Sequence, residues 1–211
     1  VRSRRQRQMC IRDRAYAAQR AVGTRGKASP ELAKFWGITG YRMYAADLLW
    51  TGLATHYVPD GKAFATTLIE QGLATALAQH ATAPAGDPPL AGLMEAIEDT
   101  FCHDSWQDIT AALEGYPELK QLVAELTTQA CPTSIVAAME LFCAEQECSS
   151  VREALDLETN LGAFMYRRAD FAEGVRAVLV DKTHDAAFKP AMLDDVDVGA
   201  IRAALHVHPA K

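Results

Sequence analysis

One tetrapeptide in this sequence contains the residue types of an assembled nucleophilic catalyst. It reads Cys102, His103, Asp104 and Ser105, which includes two nucleophiles, a base and an acid. Adjacent residues on a short segment point in different directions, whereas catalytic triads form from groups that meet in space. We therefore interpret Asp104 and Ser105 as turn and helix-cap residues ahead of Trp106, and not as catalytic groups.

The histidines and cysteines do not form a recognisable metal or disulfide pattern. His206 and His208 could supply two ligands, but two ligands near a chain end do not complete a metal site. No Cys-X-X-Cys pair occurs, and Cys143 and Cys148 are more widely spaced, with no histidine nearby. We predict no metal site, and we expect the cysteines to be reduced thiols within the core.

The stretch from Asp170 to Lys182 carries strong local helix signals. Asp170 and Glu173 have the spacing of a capping box, in which each side chain accepts a hydrogen bond from the other residue's amide. Gly174 lies inside this helix, where glycine costs about 1 kcal/mol relative to alanine, so close packing against a neighbour is expected there. Arg176 is predicted to be a structural ion-pair partner.

Three segments, taken in order, resemble one enzyme family. The first runs from Thr39-Gly40-Tyr41-Arg42 to Gly52-Leu53-Ala54-Thr55-His56, the second is Cys131-Pro132-Thr133-Ser134, and the third extends from Asp170 to Pro190. Together they resemble the 3-hydroxyisobutyryl-CoA hydrolases, within the enoyl-CoA hydratase/isomerase (crotonase) superfamily. The resemblance runs from about Pro30 to Leu205, which is most of the chain.

The resemblance implies a fold and a division of the parent protein. Crotonases are spirals of ββα turns followed by a helical C-terminal region, and this chain resembles the C-terminal region. We expect a mainly α chain, the C-terminal helical part of an α/β crotonase fold, with one short strand at 53–58. Residues 15–211 would be the C-terminal portion of a single domain whose sheet-rich N-terminal half is absent.

The same resemblance indicates where a ligand would bind. In related crotonases a lysine after the corresponding helix approaches the nucleotide end of coenzyme A, and Lys182 aligns with it. Lys189 and Phe188 are further candidate contacts, at an adenine site. The competing interpretation of Lys182 is a solvated lysine that stabilises a helix C-terminus. His56 falls in the family's structural strand and turn, so it is expected to be buried or half-buried.

The implied activity is hydrolysis of an acyl-CoA thioester in bacterial valine breakdown, in the cytoplasm. The family's glycine-rich turn, whose amides hold the thioester oxygen, has no match here, nor do the acids that follow it. We therefore expect no catalytic residue in this chain and no activity from it alone. Coenzyme A belongs to the substrate, so no separate cofactor is expected. The alternatives are an enoyl-CoA hydratase or isomerase, and a non-catalytic helical module for oligomerisation or interaction, consistent with a homo-oligomer.

Residues 1–14 differ in character from the rest. They contain six arginines and one aspartate, and the string from Met9 to Arg14 resembles translated sequencing-adapter DNA, so we interpret them as a non-native segment. The alternative is a basic arm for nucleic acid. The chain has 21 basic and 27 acidic residues, so 15 and 26 remain beyond this segment, a net charge of −11. Such an acidic body is unsuited to nucleic acid, and no apolar run reaches the length of a membrane span.

Apolar spacing predicts a succession of amphipathic helices after Pro30. Asp60 is predicted to cap one longer helix with apolar positions at Phe64, Leu68 and Leu73. A loop rich in alanine, proline and glycine should follow at 79–89.

Further helices are predicted from their start signals. Ser105, Pro117 and Pro132 each mark a helix start. Ser150 and Glu153 form a second capping box. The helix that they open should bury a stripe consisting of Val151, Leu155, Leu161 and Met165, and a last short helix is expected near 198–205.

Overall fold

A computed structural model describes residues 29–206 of this protein, and that part of the chain is built from helices. The α-helices are α1 Pro30–Thr39, α2 Ala45–Trp50, α3 Gly61–Gln71, α4 Leu73–His80, α5 Met94–Phe101, α6 Trp106–Leu113, α7 Pro117–Thr127, α8 Pro132–Gln146, α9 Val151–Tyr166, α10 Ala169–Val175 and α11 Val198–Leu205. Short 3₁₀ turns occupy Pro89–Gly92 and Leu193–Asp195, and a π-helix spans Arg176–Val180. The mainly α class is confirmed. The non-native segment proposed for residues 1–14 lies outside the described residues.

The short strand predicted at 53–58 is wrong. Within residues 29–206 the only β pairing is an isolated antiparallel bridge between Tyr57 and Thr82, whose N–H donates to the Tyr57 carbonyl at 3.0 Å. A strand needs a continued ladder of such bonds. The partner segment reaches Pro84 two residues later, and proline has no N–H to donate. Pairing therefore stops after one residue pair.

Local start signals are confirmed at several helices. The Ser105 hydroxyl accepts the Asp108 N–H at 3.1 Å, and proline occupies the first position of α7 and of α8. Asp60 Oδ1 accepts the N–H groups of Lys62 and Ala63, each at 3.0 Å. These caps form because the acceptor and the amide lie within three residues of each other.

The longer helix predicted after Asp60 is instead two helices, α3 and α4. Gly72 separates them with φ +83° and ψ 169°, a conformation that is essentially restricted to glycine. Two of its apolar positions face solvent, since Leu68 is 38% exposed and Leu73 is 57% exposed. His80 Nε2 lies 2.8 Å from Thr67 Oγ1 and joins the two helices. The loop begins at Ala81, two residues later than predicted.

The core forms where α1, α5, α6, α7, α8 and α11 converge. Its largest fully buried side chains include Phe35, Phe101 and Phe142, and the rings of Phe35 and Phe101 meet edge to face at 5.3 Å. Helix α6 contributes one apolar face to this core, because Trp106, Ile109 and Leu113 are all buried. None of the helices among residues 29–206 has the length and hydropathy needed to span a membrane.

Helix α9 buries only part of the predicted stripe, since Leu161 is buried but Val151 and Leu155 are not. Ser150 accepts the Glu153 N–H at 3.3 Å as expected, although the Glu153 carboxylate binds the Ser149 N–H, at 2.7 Å, in place of the cap residue's own amide. The buried residues are Ala154, Glu158 and Leu161, whereas the predicted Val151 and Leu155 are 39% and 42% exposed. The predicted stripe contained only apolar residues, whereas the packing of α9 also buries the polar Glu158.

Candidate functional site

Helix α10 runs directly into the π-helix Arg176–Val180, and the chain then reverses. The Asp181 N–H donates to the Arg176 carbonyl at 2.8 Å, the five-residue spacing of a π turn. Such turns occur often at functional sites. Lys182 and His184 then adopt left-handed φ values of 59° and 57°, and the His184 N–H donates to the Ala177 carbonyl at 3.0 Å. The 182–189 segment therefore starts from a fixed turn at the end of the helix.

Arg176 is the centre of an ion-pair network at this turn. Its guanidinium donates to both Glu173 carboxylate oxygens, at 2.8 and 2.9 Å, to Asp181 Oδ2 at 2.6 Å and to Asp185 Oδ1 at 3.1 Å. The hydrogen bonds from Arg176 and from the Ala187 N–H lower the pKa of Glu173 to about 2. The structural ion-pair role predicted for Arg176 is confirmed, and its donors are committed to protein carboxylates.

The capping box predicted for Asp170 and Glu173 is wrong. Helix α10 begins at Ala169 with Arg168 as its N-cap, so Asp170 lies inside the helix, not at the cap position that the motif requires. Asp170 is buried, and its Oδ1 accepts the N–H of Lys189 at 2.7 Å. Glu173 Oε1 accepts the Ala187 N–H at 2.8 Å. Both acids thus hold the 182–189 segment.

The sequence-predicted ligand residues all lie on this segment. Lys182 and Lys189 are exposed, Phe188 is half-buried, and neither lysine ammonium has a carboxylate partner within residues 29–206. Gly174, which was predicted to pack closely against a neighbour, is buried in α10. An ordered turn with two free ammonium groups can bind an anionic ligand such as a phosphate.

Sequence reasoning missed Arg168. Its Nη2 donates to the Lys189 carbonyl at 3.5 Å and lies 3.7 Å from Asp170 Oδ2, and its guanidinium stands 5.6 Å from the centre of the Phe164 ring. No local motif indicates such a contact, because Arg168 and Lys189 are distant in sequence.

Sequence reasoning also missed two buried carboxylates between α8 and α9. Glu145 is 4% exposed and Glu158 is 3% exposed, and both Glu145 carboxylate oxygens lack a hydrogen-bond partner. Burial, and to a lesser degree the charge of Glu158, raises the pKa of Glu145 to about 8. Glu145 is therefore mainly protonated at neutral pH.

The tetrapeptide Cys102 to Ser105 has a structural role. Lys34 is only 3% exposed, and its ammonium donates to the His103 carbonyl at 2.8 Å and to Asp104 Oδ1 at 3.2 Å. Asp104 is thus the partner of a buried lysine, and Ser105 caps α6. The turn and cap interpretation is confirmed.

The remaining candidate residues differ in part from expectation. His56 is exposed and bonded to the neighbouring Thr55 hydroxyl at 3.0 Å, so the prediction of a buried histidine is wrong. His206 is exposed, and His208 lies outside the described residues. No cluster of three His, Cys, Asp or Glu side chains among the described residues could hold a metal.

The cysteines of the described part are free thiols. Cys102 is exposed and the other three are half-buried, so the predicted position within the core is wrong for Cys102. Cys143 Sγ lies 3.6 Å from Asp104 Oδ1, and burial raises the pKa of this thiol to about 11. Because the thiolate is the reactive form, Cys143 is a poor nucleophile. Cys10 lies outside the described residues.

The helical architecture occurs in a known class of protein. Residues 24–205 match the enoyl-CoA hydratase/isomerase family, and the chain belongs to that family. The family resemblance found in the sequence is thereby confirmed.

Individual relatives refine this assignment. The chain is 30% identical over 185 residues to the mitochondrial 3-hydroxyisobutyryl-CoA hydrolase of Gallus gallus, covering 81% of this chain and 47% of the relative. It is 28% identical over 166 residues to the small ribosomal subunit protein mS47 of Schizosaccharomyces pombe, covering 71% of this chain and 38% of that protein. The chain spans about half the length of the curated hydrolases that it matches.

A solved structure shares the fold. The crystal structure of a carnitinyl-CoA dehydratase from Mycobacterium thermoresistibile superposes with a TM-score of 0.75 at 26% identity, over 91% of this chain and 55% of that one.

Proposed function

We propose that the full-length protein is an acyl-CoA thioester hydrolase that acts on 3-hydroxyisobutyryl-CoA. The observation that carries this proposal is the similarity to hydrolases of that name across 81% of the chain. In the proposal this chain is the C-terminal helical part of one crotonase-like domain, and the sheet-rich half lies outside it. The reaction would belong to bacterial valine breakdown in the cytoplasm.

The 182–189 segment would bind the nucleotide end of coenzyme A. Lys182 and Lys189 are exposed and have no carboxylate partner within the part of the chain that the structure describes. A hydrogen bond between an ammonium and a phosphate contributes about 1.5–3 kcal/mol. Phe188, half-buried on the same segment, would offer an aromatic face to the adenine. Charge on the protein as a whole is negative, so these local cations would be decisive for an anionic ligand.

Coenzyme A binding by this chain tests the proposed site. Isothermal titration calorimetry should detect binding by the unmodified chain, and Lys182→Ala and Lys189→Ala should each weaken it by about tenfold or more. Lys62→Ala is the matched control, since Lys62 is an exposed lysine of α3 without an ion-pair partner among the described residues. Equal losses in all three variants would show a general charge effect, and no binding by the unmodified chain would refute the site.

The chain alone is proposed to be inactive. Thioester hydrolysis places negative charge on the carbonyl oxygen, and each preorganised amide donor at that oxygen contributes about 3–4 kcal/mol. The family's glycine-rich turn that supplies those amides has no match in this sequence. Release of thiol from 3-hydroxyisobutyryl-CoA, followed with a thiol reagent, should stay at the uncatalysed rate. Sustained turnover would contradict this proposal.

Two other functions are compatible with single observations. The superposed structure is that of a carnitinyl-CoA dehydratase, so a hydratase or isomerase is the alternative reaction, and assays of the full-length protein with enoyl-CoA and hydroxyacyl-CoA substrates distinguish the reactions. The similarity to ribosomal protein mS47 favours a non-catalytic interaction module, as do the exposed apolar side chains Leu68, Ile69 and Leu73 on α3 and α4. Light scattering tests the accompanying proposal of a homo-oligomer.

A further inference from the structure

The main chain of Lys189 is held on both sides by side chains from the start of α10. Asp170 Oδ1 accepts its N–H at 2.7 Å, and Arg168 Nη2 donates to its carbonyl at 3.5 Å. Asp170 is only 7% exposed, so its hydrogen bond is shielded from competing water. The backbone of Lys189 is thus held at both of its flanking peptide groups, while its side-chain ammonium stays exposed.

The same segment is held a second time, one helical turn further along α10. Glu173 Oε1 accepts the Ala187 N–H at 2.8 Å, while its two oxygens also bind Arg176. Arg176 in turn reaches Asp185 at 3.1 Å. The two acids therefore act at alternate residues, 187 and 189, on the segment that carries the candidate ligand side chains.

We propose that Asp170 and Glu173 are positioning residues that hold the 182–189 segment ready for an anionic ligand. The proposal rests on the proposed function, in which that ligand is the phosphate-bearing end of coenzyme A. Neither acid touches the ligand in this arrangement. Neither side chain caps α10. Each instead accepts a hydrogen bond from a backbone amide of the segment, so the backbone that carries Lys182 and Lys189 is already ordered before the ligand binds.

Amide hydrogen exchange of the ligand-free chain tests whether the two acids fix the backbone of the 182–189 segment. Asp170→Ala should speed exchange of the Lys189 amide, and Glu173→Ala that of the Ala187 amide, each by about tenfold or more, because the acceptor of each N–H is removed. Glu118→Ala is the control, since Glu118 is an exposed first-turn acid of α7 without a long-range hydrogen bond among residues 29–206. Exchange within α8 reports whether each variant is folded.

Affinity for coenzyme A then tests positioning. Asp170→Ala and Glu173→Ala should each weaken coenzyme A binding by about tenfold. Asp170→Asn keeps an oxygen acceptor for the Lys189 amide, so it should retain most of the exchange protection and most of the affinity. Since Asp170 is buried and its alanine variant is the one at risk of not folding, Glu173→Ala, at a side chain that is 23% exposed, provides the independent second test.

The outcomes separate the two proposals. Faster exchange together with weaker binding supports positioning. Unchanged exchange, or faster exchange with unchanged affinity, overturns it. If the unmodified chain binds no coenzyme A, the proposed coenzyme A site fails and the positioning role fails with it, whereas the exchange rates still show whether the acids hold the segment.

Discussion

Glu145→Gln should make the protein more stable at alkaline pH. Glu145 lies between α8 and α9 at 4% exposure, with neither carboxylate oxygen hydrogen-bonded. Its ionised form has to lose its hydration without a compensating donor, next to the buried Glu158. Glutamine has nearly the same shape and cannot ionise, so the substitution removes the cost of charging this position.

The magnitude follows from the folded and unfolded pKa values. The pKa of Glu145 is raised from its usual 4.5 to about 8 in the folded chain. Between these two values the folded state holds a proton that the unfolded state has released, so the free energy of unfolding falls as the pH rises. The slope is about 1.4 kcal/mol per pH unit, and the total is on the order of 5 kcal/mol. Below pH 4.5 both states are protonated, and the difference disappears.

Urea unfolding at a series of pH values from 4.5 to 9 measures this effect. The difference in unfolding free energy between Glu145→Gln and the unmodified chain should grow steadily from about pH 5 to pH 8 and then level off. Glu147→Gln, an exposed substitution two residues further along, corrects for the general loss of one negative charge. Parallel stability curves for the Glu145→Gln and unmodified chains would refute the reasoning, because Glu145 would then be ionised or hydrated in the folded state.

Two further predictions concern the fold. Phe101→Ala should lower the free energy of unfolding by about 3–5 kcal/mol, because it leaves a cavity against Phe35 in the fully buried core. The control Val151→Ser, at a residue that is 39% exposed, should change the free energy of unfolding by about 0.5 kcal/mol or less. Denaturant unfolding measures both. Gly72→Ala should destabilise the chain by about 1–3 kcal/mol, because alanine is strained at φ +83°. Gly61→Ala should not destabilise it, because Gly61 has an ordinary backbone conformation and open space at the added methyl group. Thermal unfolding compares the two variants, and equal melting temperatures would contradict the prediction.

Helix starts and family membership could be predicted from the sequence. Ser105 binds an amide three residues away, and the prolines at the start of α7 and α8 act through their own fixed φ, so the information is contained in a few neighbouring residues. Family membership was recognisable because the three matching segments retain their order and spacing. Lys182 and Lys189 could be named as candidates for the same reason.

Only the tertiary structure showed which partners the polar groups choose. Asp170 and Glu173 have the spacing of a local cap, but Asp170 is inside α10 and both acids bind the returning 182–189 segment. Glu158 is not part of the apolar stripe predicted for α9, but the packing of α9 buries it. The neighbours of a polar residue in sequence determine which local hydrogen bonds it could form. Whether it forms them depends on which distant segment packs beside it and excludes water. No local pattern contains that information.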